Sequence, residues 1–192
     1  DVASGAAIDI TLRIGMPQLE QGAFATSVIP TTSATVTRSA DVASITGTNF
    51  SGWYNQNVET TYCQFVATQI SATMGLISVN DGTSGNRLGV LATSTGFTGA
   101  RNTASAGVVF TPGTSNVPII GQNKVAMAAS NNDYAINANG LITGTASTLT
   151  MPVVNQLNIG NQLLGSYVNG TISRVVYWSS RLPNATLQAI TT

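Results

Sequence analysis

From residue 46 to the C-terminus, the chain is cut into short β-prone runs by residues that favour tight turns. Val, Ile and Thr recur over 46–50, 58–70, 75–80, 86–93, 99–103, 106–110, 123–129, 133–137, 141–144, 157–160 and 171–178. Asn80-Asp81-Gly82 and Asn131-Asn132 separate neighbouring runs, and Asn139-Gly140 and Asn169-Gly170 add further turn signals. Asn and Gly enter positive φ at low cost, so each pair marks a place where a strand can reverse. Within the runs the period is two: Val125, Met127 and Ala129 alternate with Lys124, Ala126 and Ala128, and Tyr134 and Ile136 alternate with Asp133, Ala135 and Asn137. Many short strands of this kind predict an all-β sandwich or jelly roll. One helical signal stands at the end, where Pro183 precedes Leu187 and Ile190, three residues apart. It predicts a short C-terminal helix.

The N-terminal part is organised differently. Ile8, Ile10, Leu12, Ile14 and Met16 alternate with Asp9, Thr11, Arg13 and Gly15, the pattern of a half-buried strand. Pro17, Gly22 and Pro30 then punctuate a Ser/Thr/Ala-rich stretch that reads as an extended connector. The expected division is a strand and connector over 1–22, an extended linker over 23–45 and one sandwich over 46–192. The start at Asp1, with a strand almost at once, reads as a piece of a longer protein.

Composition narrows the functions. Charged residues are 7% of the chain, against about 25% in ordinary globular domains. Lys124 is the single lysine, and the six arginines are scattered. Nucleic-acid binding needs a basic cluster to displace counterions, so it is excluded. No apolar run approaches the roughly 20 residues of a membrane span. With no histidine, neither a Ser-His-Asp nor a Cys-His catalytic set can form. Cys63 has no partner for a disulfide, and its setting in Tyr62-Cys63-Gln64-Phe65-Val66 reads as core. The sequence implies no cofactor and no metal.

The acids are Asp1, Asp9, Glu20, Asp41, Glu59, Asp81 and Asp133. A glycosidase needs two carboxylates about 5–9.5 Å apart across one bond, and no close pair of acids on one strand offers that. The expectation is no enzymatic activity and no catalytic residue. Calcium takes about six to eight oxygens. Asp81, with Asn80, Ser84 and Asn86, and Asp133, with Asn131 and Asn132, read as turn chemistry instead. Aromatic residues are few, so each is weighed. Trp53 and Tyr54 precede the polar run Asn55-Gln56-Asn57, and a loop aromatic beside amides suits a sugar. Trp53 also suits a role in closing one end of the sandwich. The glycan-binding candidates are Trp53, Tyr54, Asn55, Asp81, Arg87 and Tyr134.

Two stretches carry a family likeness. Gly15-Met16-Pro17-Gln18-Leu19-Glu20-Gln21-Gly22, continuing to Ile29-Pro30-Thr31-Thr32 and Val36-Thr37-Arg38-Ser39-Ala40-Asp41, resembles a junction element of phage tail, fibre and tailspike proteins. Ala25 stands where Pro is common in that element, and Val28 where Tyr is common. The second stretch runs from Phe50-Ser51-Gly52-Trp53 to Val168-Asn169-Gly170-Thr171-Ile172-Ser173-Arg174 and Arg181-Leu182-Pro183-Asn184-Ala185. It is similar to the laminin-G or concanavalin-A-like domain found at the ends of such proteins, with Pro183 where Ser is usual.

The resemblance covers nearly the whole chain. It implies a concanavalin-A-like (laminin-G-like) jelly-roll sandwich on a virion, outside the cell, in a phage tail or fibre. It also implies a homo-oligomer, specifically a trimer, touching other virion proteins and a host-surface glycan or receptor. The alternative is a purely structural virion domain for trimerisation, capping or decoration.

Overall fold

The computed structural model describes residues 11, 13, 15, 18–19, 28–37, 41–70, 73–103, 106–110, 118, 120–146, 150–163 and 165–192. The chain divides into two compact units, Asp1–Ser39 and Ala40–Thr192. In the first, residues 28–37 are neither helix nor strand. The Ile29 amide there donates to Gln18 Oε1 at 2.7 Å. The strand expected over 8–16 lies outside the described residues.

The second unit is β throughout, with two short helices. In order the elements are β1 Ala43–Thr46, α1 Thr48–Ser51, β2 Val58–Ala67, β3 Met74–Asn80, β4 Arg87–Thr93, β5 Gly96–Thr103, β6 Ala106–Phe110, β7 Gly121–Ser130, β8 Asp133–Ala138, β9 Leu141–Ala146, β10 Gln156–Ile159, β11 Gly170–Trp178 and α2 Asn184–Thr191. They form a six-stranded sheet, β1-β10-β3-β4-β5-β6, and a five-stranded sheet, β11-β2-β7-β8-β9. Every pairing is antiparallel. This is the expected all-β jelly-roll sandwich with a short C-terminal helix.

The turn signals account for the strand boundaries. Asn80-Asp81-Gly82 leads from β3 to β4, with Gly82 at φ +87°. Asn132 and Asn139 take φ +59° and +48° at the ends of the β7–β8 and β8–β9 hairpins. One expectation needs correction. The run 46–50 is not a strand: β1 ends at Thr46, and Gly47 at φ +60°, ψ −140° turns the chain into α1. A side chain at Gly47 would meet steric strain in that conformation, so the reversal depends on glycine.

Alternation places the core. In β2, Cys63, Phe65 and Ala67 point inward with Val125 and Met127 of β7 and Ile136 of β8. Leu76, Ile77 and Val79 of β3, Leu88 and Val90 of β4 and Phe97 of β5 face them from the six-stranded sheet. Phe65 and Phe97 meet edge to face with centroids 6.2 Å apart, tying one sheet to the other. Each such ring, fully buried, stabilises the fold by about 1.5–3 kcal/mol. Burial pushes the Cys63 thiol up to about 12, in keeping with a core residue.

The outer face of the five-stranded sheet is covered as well. Tyr62, Ala126, Ala128 and Ala135 pack beneath Leu187 of α2. The small alanines leave room for the helix to seat closely. Pro183 occupies the position before α2, and the Leu187 amide donates back to its carbonyl at 3.0 Å. Among the described residues, no helix is long and apolar enough to cross a membrane.

Candidate functional site

Across β1, β10, β3 and β4, the outer face of the six-stranded sheet carries two rows of mostly polar residues. Register aligns Thr46, Gln156, Asn80 and Arg87 across β1, β10, β3 and β4. A second row, one pleat away, carries Ser44, Asn158, Ser78 and Gly89. These side chains share a face because alternate residues of a strand point the same way.

The middle of this ladder is locked. Asn80 Nδ2 donates to Asn158 Oδ1 at 2.8 Å, and Gln156 Nε2 donates to Asn80 Oδ1 at 2.6 Å. Asn80 and Ser78 are fully buried and Asn158 nearly so. Their hydrogen bonds satisfy the desolvated amides, without which such burial would be costly. At one end stands Arg87, half-buried, with Nε buried and unpartnered. No carboxylate pairs with its guanidinium among the described residues. Gly89 leaves the next position on β4 bare: an added Cβ would come within 2.7 Å of the Ile77 carbonyl oxygen.

At the other end the ladder opens into a cleft of about 750 Å³ between α1, the turn before it and the segment entering β10. Thr46, Thr48, Ser51, Tyr54, Asn155 and Gln156 line it, with Phe50 and Val154 supplying apolar wall. Gln56 braces this side: its Nε2 donates to the Pro152 carbonyl, and its Oε1 accepts from the Val154 amide at 3.2 Å.

Behind the cleft lies an aromatic cluster. Phe50 and Tyr54 stack with centroids 4.5 Å apart, and Trp53 meets Tyr177 edge to face at 4.7 Å. Trp53 Nε1 donates to the Asn49 carbonyl at 2.6 Å. Glu59, wholly buried on the inward face of β2, sits beyond Tyr54. Burial pushes its carboxyl up to about 7, opposed by the nearby Tyr54 hydroxyl. Burial, and then the charge of Glu59, push the Tyr54 phenol up as well. Neither the phenol oxygen nor the carboxyl oxygens have a partner in hydrogen-bond geometry.

The six residues singled out from the sequence fall into separate settings. Arg87 lies on the polar ladder, and Tyr54 lines the cleft at its far end. Trp53 is half-buried, held within the ring cluster. Asn55 is used by its own turn: its amide donates to Tyr177 Oη at 2.7 Å and its Oδ1 accepts from the Asn57 amide at 3.0 Å. Asp81 shapes the β3–β4 loop, accepting from the Thr83 amide and hydroxyl and from Asn86 Nδ2 at 2.9 Å. Those bonds hold its carboxyl below the usual range. Tyr134 is corrected: it is fully buried between the sheets, its hydroxyl donating to Met151 Sδ at 3.1 Å, and no ring face remains for a sugar.

Sequence reasoning missed Thr46, Asn80, Gln156 and Asn158. Their signal is the alternation Ser78-Val79-Asn80 and Gln156-Leu157-Asn158-Ile159, polar residues at every second place on strands whose other residues are core.

No known protein-family model matches the sequence, and no curated protein does. Solved structures share its architecture. The CBM40 domain of the Ruminococcus gnavus IT-sialidase, bound to α2,3-sialyllactose, superposes with a TM-score of 0.60 at 22% identity, over 71% of this chain and 84% of that one. Domain 4 of AbnA, an extracellular arabinanase from Geobacillus stearothermophilus, in complex with arabinotriose, gives 0.59 at 9% identity, over 71% and 67%. The SAP-like pentraxin of Limulus polyphemus gives 0.54 at 14%, over 71% and 70%. At these identities the likeness is one of fold: the chain and these domains share a two-sheet jelly-roll sandwich.

Proposed function

We propose that this chain is a non-catalytic carbohydrate-binding module that reads an acidic glycan with Arg87. The observation carrying this reading is the half-buried guanidinium of Arg87 on a polar stretch of the sheet, which no carboxylate pairs among the described residues. A ligand carboxylate would pair with the part of this guanidinium that stays exposed, by charge-assisted hydrogen bonds. The fold adds support, since it is shared with domains solved with sialyllactose and with arabinotriose. Among the described residues, no acid lines the cleft: Glu59 is sealed in the interior, Asp81 is held by its loop and Asp133 pairs with Arg181 at 2.9 Å. That arrangement favours binding without hydrolysis.

The sequence resemblance extends the proposal to a biological setting. The module would sit on a phage tail or fibre, as a homotrimer with other virion proteins, and bind glycan on the host surface. What supports this is the junction element over 15–41 and its order before the sandwich. A purely structural virion role draws its support from Trp53 and Tyr177, which interlock with each other.

Titration calorimetry with α2,3-sialyllactose and with arabinotriose tests the proposal. The expected result is binding of the acidic glycan, weakened at least tenfold in Arg87→Ala with an unchanged unfolding midpoint, and no hydrolysis. Equal affinity in Arg87→Ala and the parent chain would remove Arg87 from the site. Absence of binding to either sugar would leave the structural reading.

A further inference from the structure

We infer that the cleft between α1 and β10 is a second subsite, which takes the uncharged sugar adjoining the acidic one on Arg87; this rests on the glycan-binding reading above. Four observations lead to it, and the first is size. At about 750 Å³, the cleft is within the range of roughly 300–1,000 Å³ typical of ligand pockets.

The second is chemistry. None of the lining residues is charged. Thr46, Thr48 and Ser51 supply hydroxyls, and Asn155 and Gln156 supply amides. Gln156 commits its Nε2 to Asn80 and Asn158, which fixes the side chain and leaves its Oε1 without a partner among the described residues. An uncharged pyranose, with hydroxyls around its rim, needs neutral donors and acceptors of this kind.

The third is the apolar wall. Tyr54 is backed by Phe50 in a stacked pair, so its position is fixed. A sugar presents C–H groups as well as hydroxyls, and a pocket joining aromatic wall to polar rim accepts both. Gln56 holds the opposite wall by tying segment 152–154 to the loop after α1.

The fourth is spacing. Arg87 and Gln156 lie on strands flanking β3, each paired to Asn80. Two inter-strand steps separate them, roughly 10 Å. One sugar ring does not span that distance, so a ligand using both ends has at least two units. Between the two ends, Asn80 and Asn158 are bonded to each other beneath the surface and hold the strands that carry Arg87 and Gln156 in register.

The experiment compares free sialic acid with α2,3-sialyllactose on the parent chain and on Ser51→Trp and Asn155→Ala, by calorimetry, with thermal unfolding of each variant. Ser51 is exposed on α1, so the indole fills the cleft from outside the core. The expected result is trisaccharide binding at least tenfold tighter than the free acid in the parent chain. In Ser51→Trp that advantage disappears while affinity for the free acid is unchanged. Asn155→Ala gives a several-fold partial loss and shows that the effect does not depend on one bulky substitution. Equal affinity for both ligands in the parent chain would overturn the subsite while leaving Arg87 recognition intact. Retention of the trisaccharide advantage in folded Ser51→Trp would also overturn it. A parent chain that binds neither ligand removes the proposed function and the subsite together.

Discussion

The carboxyl of Glu59 is buried behind the ring of Tyr54; burial raises the pKa of both groups, the charge of Glu59 raises that of Tyr54 further, and the Tyr54 hydroxyl partly offsets the rise at Glu59. The folded-state value of Glu59, about 7 against an ordinary 4.5, makes this pair a pH-dependent element of stability. Between those values the folded chain holds a proton that the unfolded chain has released. Stability is therefore greatest below about pH 4.5, falls as pH rises towards 7 and levels off above it. The displacement corresponds to roughly 3 kcal/mol. Denaturant unfolding at pH 5 and pH 8 should show the loss, and Glu59→Gln should reduce the pH dependence and be the more stable chain at pH 8. A Glu59→Gln profile identical to the parent would show that other groups carry the effect.

Tyr134 separates a core role from a ligand role. Tyr134→Phe removes only the hydroxyl bonded to Met151 Sδ. The expected cost is about 0.5–1.5 kcal/mol in urea unfolding, with glycan affinity unchanged. A loss of affinity without a loss of stability would return Tyr134 to the binding site.

Trp53 is expected to behave as structure first. It is half-buried and contributes its indole N–H to Asn49 and its ring edge to Tyr177. Trp53→Ala should cost about 2–4 kcal/mol, below or within the range for full burial of such a ring. Affinity for free sialic acid, set by Arg87, should survive at temperatures where the variant stays folded. Near-UV circular dichroism reports the ring cluster directly, and an unchanged spectrum would contradict the packing described.

Two glycines with positive φ should differ sharply. Gly170 has φ +151°, and an added Cβ would fall 1.9 Å from the Val66 carbonyl oxygen. Gly121 has φ +112° with nothing within 4 Å. Gly121→Ala should cost about 1–2 kcal/mol, from backbone strain alone. Gly170→Ala adds a collision with the β2 backbone and should cost several kcal/mol more or prevent β11 from pairing, which thermal unfolding would show.

What the sequence revealed follows the range of the physics involved. Strand boundaries were legible at Asn80-Asp81-Gly82 and Asn139-Gly140, because turn preference is a property of adjacent residues. Helix α2 was legible from Pro183, Leu187 and Ile190 for the same reason. The strand expected over 46–50 was misplaced because one glycine conformation, at Gly47, outweighed the β-prone residues around it. The ladder was not legible because register, not proximity in sequence, makes it: Asn80 and Gln156 bond across 76 positions. Glu59 and Tyr134 look alike in the sequence to exposed polar residues on strands. Only the choice of inward face commits both to the interior.

The amide lock of Asn80, Asn158 and Gln156 also bears on the thermodynamics of recognition. Side chains at a binding surface usually lose rotamer freedom when a ligand arrives, at about 0.5–1.5 kcal/mol each. Here folding has already frozen them, so that entropy loss does not recur in the complex. Of the three, Gln156 is the partly exposed one and lines the cleft, so a ligand there meets an amide that is already preorganised, and discrimination between sugars then rests on shape at the two ends of the ladder.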